Sequence, residues 1–382
     1  MLSKERIHYL DAMRAILMIF GILLHAANIF SPTHSWLISS NETSMLFAGI
    51  SNFINLFRMP AFFMVSGFFF VHVYLKKHRI AITDRLIRLL VPIVFVALTL
   101  NIIQETLINA YNDQALDLVN FFTDGGWVSH LWFLINLAIY NVGFWILIMI
   151  KPLNMCLQKI SNFLAKGAVY PVAIIAFPFF ISGIYSLNYF LDIYNEIFGI
   201  ISPLQLLFYA QFFVIGLFFG YSQELLGRFS KPGKIEFITF LLAYFLSLIF
   251  RELTTKASLL HDVVIAYNHS VLILFLSSMC FFFFRRFLDF KSRFLSLISA
   301  SSYSIYLLHH FLVVALGIVF IELPVSIYIA YPLIVIITFI ITMGAHQGIS
   351  RSPILSFFIN GLRPGKTQNT KDLNILSASN RS

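Results

Sequence analysis

Charge is scarce in this 382-residue chain. Asp, Glu, Lys and Arg make up 11% of it, against about 25% in soluble globular domains. With 59% hydrophobic residues and a mean hydropathy of +0.85, that shortage excludes a soluble globular protein. Cysteine is nearly missing as well, and Cys156 and Cys280 alone rule out a disulfide framework. No repeat recurs at a fixed period and no soluble domain stands out. There is no HExxH and no paired CxxC, and the histidines are scattered over separate apolar runs, so no metal site is expected.

What the chain has instead is long apolar runs. They fall at about 12–31, 45–75, 88–107, 130–150, 168–187, 204–221, 235–250, 264–284, 301–320 and 327–349. Each is long enough, or nearly so, to cross a hydrocarbon core about 30 Å thick. The expected fold is therefore all-α: a polytopic membrane protein of about ten transmembrane helices. The first run follows Lys4 and Arg6 but lacks a small-residue cleavage site, so it reads as a retained span rather than a signal peptide. Pro60 and Gly67, inside the overlong second run, predict a kinked or broken helix. Alternating the spans leaves twenty-three of the 26 Lys and Arg residues on the side of the termini. Only Arg251 and Lys256 fall opposite, and Arg58 lies within a span. The positive-inside rule then predicts both termini cytoplasmic. Residues 1–350 read as one membrane domain, and 351–382 as a cytoplasmic tail, disordered toward its end.

Ten of the seventeen acids, Glu42, Asp113 and Asp192 among them, fall on the opposite side. A negative outer face repels polyanions and admits a neutral polymer more readily. The same bias also arises if outer loops simply lack Lys and Arg.

The first span carries an unusual stripe. Asp11, Arg14, Met18, Gly21, His25 and Asn28 step by three and four residues along one helical face. Arg14 and His25 differ by about 20° in direction and about 16 Å in height. An ionisable residue at the centre of a span costs about 2.5–3.5 kcal/mol on insertion scales, so such residues face the bundle interior and mark functional paths. His25 lies past the midplane, where an imidazole can take a proton from a hydroxyl. It could equally be a buried histidine bonded to a neighbouring helix.

Other residues extend this pattern. "DRLIRLLVP" sets Arg85 and Arg88 on one face at the mouth of the third span, an arrangement that suits phosphates and also satisfies ordinary positive-inside flanking. "FRMPAFFMVSG" buries Arg58 beside Pro60. "HLWFL" places His130 and Trp132 at the start of the fourth span, Trp132 doubling as an aromatic-belt anchor. "SSYSIYLLHH" contains Ser304, His309 and His310. Adjacent side chains diverge by about 100°, so at most one of the two histidines is expected to face a given site.

Taken in order, Asp11, Arg14 with ten residues before His25, "RMPAFFMVSG", "RLIRLLVP", "HLWFL" and "SIYLLHH" resemble the acyltransferase-3 family of bacterial inner-membrane proteins, from residue 7 to about 350. The resemblance implies transfer of an acyl group from cytoplasmic acyl-CoA to a glycan hydroxyl outside. Its nearest branch implies succinyl-CoA as donor and the osmoregulated periplasmic glucans as acceptor, without a bound cofactor. In that scheme His25 is the general base, and Arg14 holds the donor or is oriented by Asp11. Arg85 and Arg88 take the donor's phosphates, while His130, Trp132, Ser304, His309 and His310 line the acceptor site or the path. Ser66 or Ser304 could carry a covalent acyl group. Membrane lipids and other glucan biosynthesis proteins are the implied partners, and nucleic acid is not one.

A succinyl donor adds a requirement, because its free carboxylate cannot enter a low-dielectric path unpaired. Arg58, about 20 Å below the outer start of its span, can supply the cation, unless it pairs with a protein acid or caps carbonyls freed by Pro60. Two other functions fit the same residues. One is O-acetylation of another cell-surface glycan. The other is transport of a glycan or lipid, which inverted repeats would favour, and the two halves do not correspond.

Overall fold

The computed structural model describes residues 7–33, 36–77, 80–191, 196–197, 199–253 and 259–363. Lys4, Arg6, Asp192, Lys256 and the end of the tail lie outside the described residues. The described chain is helical almost throughout. In order come α1 (His8–Ile29), α2 (Met45–Lys77), α3 (Ile80–Leu98), α4 (Leu100–Tyr111), α5 (Leu118–Thr123) and α6 (Trp132–Met149). Then follow α7 (Lys151–Leu164), α8 (Tyr170–Leu191), α9 (Pro203–Tyr221), α10 (Gln223–Phe229) and α11 (Lys234–Leu253). The last four are α12 (Leu259–Phe287), α13 (Arg293–Glu322), α14 (Ile327–Arg351) and α15 (Pro353–Asn360).

Among the described residues, eight segments are long and apolar enough to cross a membrane. They account for eight of the ten expected runs. The other two runs, 168–187 and 235–250, fall on α8 and α11. This is an all-helical polytopic membrane protein.

One local expectation narrows, since of a kinked or broken second helix the break is absent, and another changes. The second run is not broken: α2 continues for 33 residues through Pro60 and Gly67. Gly67 is there for packing. A Cβ at Gly67 would collide with the backbone of Phe213 and reach Leu217 N at 3.0 Å. Gly216 on α9 is equally tight against α2, where a Cβ would come within 2.8 Å of the Met64 carbonyl carbon. Small residues that let two backbones approach are the usual glue of membrane helices. Conversely, the third run is interrupted, at Thr99, between α3 and α4. The Thr99 hydroxyl donates to Phe95 O at 2.6 Å, occupying a carbonyl that the interruption leaves free.

The helix α1 is central, packed against α2, α12, α13 and α14. Its polar stripe therefore faces protein. After α14 the chain turns back: Ser352 caps α15 by accepting from Leu355 N, Pro353 opens the helix, and Gly361 ends it at φ +60°. These are the residue types that helix starts and stops favour. The α15 helix packs on α3, with the Phe95 and Phe358 rings 5.4 Å apart.

Candidate active site

Two polar regions lie along the α1 stripe, one at each end. The first is a histidine cluster. His25 from α1 stacks on Trp36, with ring centres 5.3 Å apart. It lies 4.8 Å from His310 and 5.4 Å from His309 on α13. His130, just before α6, stacks on His310 at 4.6 Å and lies 5.8 Å from His309. The expectation that only one of His309 and His310 could face the site is thus wrong. The site is wide enough for α13 to present two side chains to it, one on either side of the direction of His25.

Hydrogen bonds fix how these rings present their nitrogens. His310 Nδ1 lies 2.7 Å from Gln104 Oε1, and an amide oxygen only accepts. His310 therefore donates from Nδ1 and keeps Nε2 as an acceptor. His309 Nδ1 likewise donates to the Tyr306 carbonyl at 2.5 Å. Its Nε2, and Nδ1 of His25, are buried without a hydrogen-bond partner among the described residues. These nitrogens lie where α1 and α13 pack against each other. Gly21 makes the approach of these helices possible: a Cβ there would stand 2.9 Å from His309 Nε2 and 3.5 Å from the Arg58 guanidinium. Arg58 is buried, 8% exposed, and has no ion pair or hydrogen bond among the described residues.

The second region is a cavity of about 400 Å³ at the other end of α1, within the size range of small-molecule sites. Arg14, Arg85, Arg88, Arg351 and Arg363 line it. Arg14 lies 4.0 Å from Asp11, so Asp11 joins the site through Arg14 rather than as a lining residue. The guanidinium of Arg14 sits over Phe69 and that of Arg85 over Phe70, at 5.5 and 5.6 Å. Ser66 also lines the cavity. Ser304 is fully buried at its edge, bonded to His346 Nδ1 at 2.9 Å and Asn360 Oδ1 at 2.8 Å.

Aromatic rings separate the two regions. Phe62, Phe133 and Met18 form the inner end of the cavity. Phe133 packs edge-on against Tyr306 at 4.7 Å, and Tyr306 lies 5.5 Å from His130 and 5.7 Å from His309. The Tyr306 hydroxyl donates to the His130 carbonyl. Trp132 stands apart from the histidines, stacked on Tyr209 at 5.3 Å.

The structure thus brings together His25, His130, His309, His310 and Arg58, and separately Arg14, Arg85 and Arg88. Sequence reading did not single out Trp36, Gln104, Tyr306, His346, Arg351 or Arg363. Gln104 had a signal, as an amide inside an apolar run. Arg351 and Arg363 did not, since they read as tail charges.

Comparison with known proteins bears on this arrangement. Residues 7–345 match the acyltransferase domain of the acyltransferase-3 family. The chain is similar to glucans biosynthesis protein C of Escherichia coli strain K12, at 26% identity over 393 residues, covering 96% of this chain and 97% of that protein. The similarity to glucans biosynthesis protein C of Escherichia coli O81 strain ED1a has the same extent. No solved structure matches the chain.

Proposed function

This chain belongs to the acyltransferase-3 family of membrane acyltransferases, and from that premise we propose that it moves succinyl groups from acyl-CoA in the cytoplasm to hydroxyls of a neutral periplasmic glucan. It would do so in a bacterial inner membrane, with both termini cytoplasmic. The observation that carries the reading is the α1 stripe, which joins an arginine-lined cavity to a histidine cluster about 16 Å away along one helix. The excess of basic residues at the cavity end supports its cytoplasmic orientation.

In this reading the donor's phosphates sit among the arginines and its acyl end points inward, past Met18. A ring nitrogen of His25 takes the proton of a sugar hydroxyl while the oxygen attacks the thioester carbonyl carbon. The intermediate collapses with cleavage of the C–S bond, leaving an ester on the glucan. The proton departs with the thiolate as CoA thiol. His309 and His310, each with Nδ1 committed to a carbonyl oxygen, offer Nε2 as hydrogen-bond acceptors that orient the sugar.

Arg58 favours succinyl over acetyl. A buried guanidinium with no protein anion among the described residues suits a carboxylate, which it can hold by two parallel bonds. The similarity to glucans biosynthesis protein C supports the same acceptor class. The test is incubation of the purified chain with labelled succinyl-CoA or acetyl-CoA and a neutral β-glucan. Succinyl ester on the glucan, with release of CoA thiol, is the expected result. Transfer of acetyl alone would favour the O-acetyl reading, and transfer of neither group to the glucan would overturn the proposed acceptor.

A further inference from the structure

The five cavity arginines form two tiers. Arg14 and Arg85 are the partly buried tier, each seated over a phenylalanine ring. Arg88, Arg351 and Arg363 are exposed. Two of these three, Arg351 and Arg363, lie beyond residues 7–345, the part that matches the family.

The backbone that carries the exposed tier is held in place. Ser304 bonds to His346 of α14 and Asn360 of α15, tying three helices together. The Tyr303 hydroxyl donates to the Arg88 carbonyl at 2.6 Å. Gly361, at φ +60°, lies so close to the Arg88 backbone that a Cβ would collide with it. Asp84 stands 3.9 Å from Arg363. Three guanidiniums against that carboxylate leave a net positive rim, suited to a dianion.

Five guanidiniums around one cavity of about 400 Å³ are more than a single anionic group needs, so the cavity fits a ligand with several anionic groups. Acyl-CoA has that form when it enters acyl end first: the 5′-diphosphate adjoins the pantetheine arm, and the 3′-phosphate sits on the ribose beyond it. Resting on the acyl-CoA reading above, we infer that Arg88, Arg351 and Arg363 form a phosphate-monoester subsite for the donor's 3′-phosphate, while Arg14 and Arg85 take the diphosphate. The C-terminal segment from Arg351 to Arg363 is then part of the donor site. The Ser304–His346–Asn360 clasp positions it.

The experiment compares CoA with 3′-dephospho-CoA by calorimetry on the full chain in lipid nanodiscs. Charge-assisted bonds predict that wild type binds CoA about tenfold or more tightly than the dephospho compound. R351Q/R363Q should bring the two affinities within about twofold by weakening CoA alone. Ser304→Ala, which releases the clasp, should narrow the ratio in the same direction. Arg85→Ala should weaken both compounds and leave the ratio unchanged. Equal affinities in wild type, or an unchanged ratio in R351Q/R363Q, would overturn the subsite while leaving the acyl-CoA reading intact. Failure of wild type to bind either compound would overturn both.

Discussion

The two ends of α1 solve opposite problems. At one end, arginines gather around an open cavity, where water and mobile ions already reduce the cost of charge. At the other, histidines and Arg58 sit among packed rings, where a permanent charge is costly and a neutral imidazole is cheap. Binding a highly charged donor belongs to the first environment, and moving a proton belongs to the second. The Phe133–Tyr306 contact stands between the cavity lining and the histidines. One helix can serve both proposed tasks if its polar residues share a face and its surroundings change along its length.

That contrast breaks most sharply at His25. His25→Ala should lower kcat by about 10²–10⁴ while CoA affinity, measured separately by calorimetry, stays within about twofold. A comparable loss of CoA binding would mean that the two ends are not separate. The next effect concerns Arg58. Arg58→Gln should reduce succinyl transfer by about 10–100-fold, the worth of a charge-assisted bond lost in a buried site, and acetyl transfer by far less. Equal losses with the two donors would make Arg58 structural.

The contrast with the cavity end appears in Arg85→Ala, which should raise the apparent KM for acyl-CoA about tenfold with kcat little changed. It should also weaken the salt dependence of donor binding. A further, similar-sized test lies between the regions. Gly21→Ala would push a Cβ against His309 Nε2, a crowding that costs about 1–3 kcal/mol. Activity should fall about tenfold with CoA binding unaffected. The smallest effect belongs to Gln104→Leu, which releases the His310 Nδ1 proton from its fixed partner and should cost about fivefold in kcat, the worth of one neutral hydrogen bond.

Much of the histidine end was legible in the sequence because α1 writes it locally. Spacings of three and four put Arg14, Gly21 and His25 on one face, and no tertiary information is needed to see that. Arg58 stood out as a charge that hydrocarbon would not tolerate, and His130 as a titratable residue opening the fourth span at its outer surface. What could not be read was convergence between helices. The angular rule for neighbours on a helix is sound, yet it does not say how wide the opposing site is, and so it failed for His309 and His310. Gly67 looked like a helix breaker because glycine is one in water, whereas here its missing side chain admits α9. The exposed arginines of the cavity were hidden for another reason. Arg363 follows a short helix inside what reads in the sequence as a tail, and nothing in that stretch says that the helix folds back onto α3.

The most direct measurement places the two substrates in separate compartments. With the chain oriented in sealed proteoliposomes, labelled succinyl-CoA is supplied at the cavity face and a neutral β-glucan at the opposite face. Wild type is expected to deliver label to the glucan as an ester, with CoA thiol released only on the donor side, and His25→Ala should deliver none above background. Normal labelling by His25→Ala, or movement of intact glucan or CoA across the membrane without ester formation, would contradict the account.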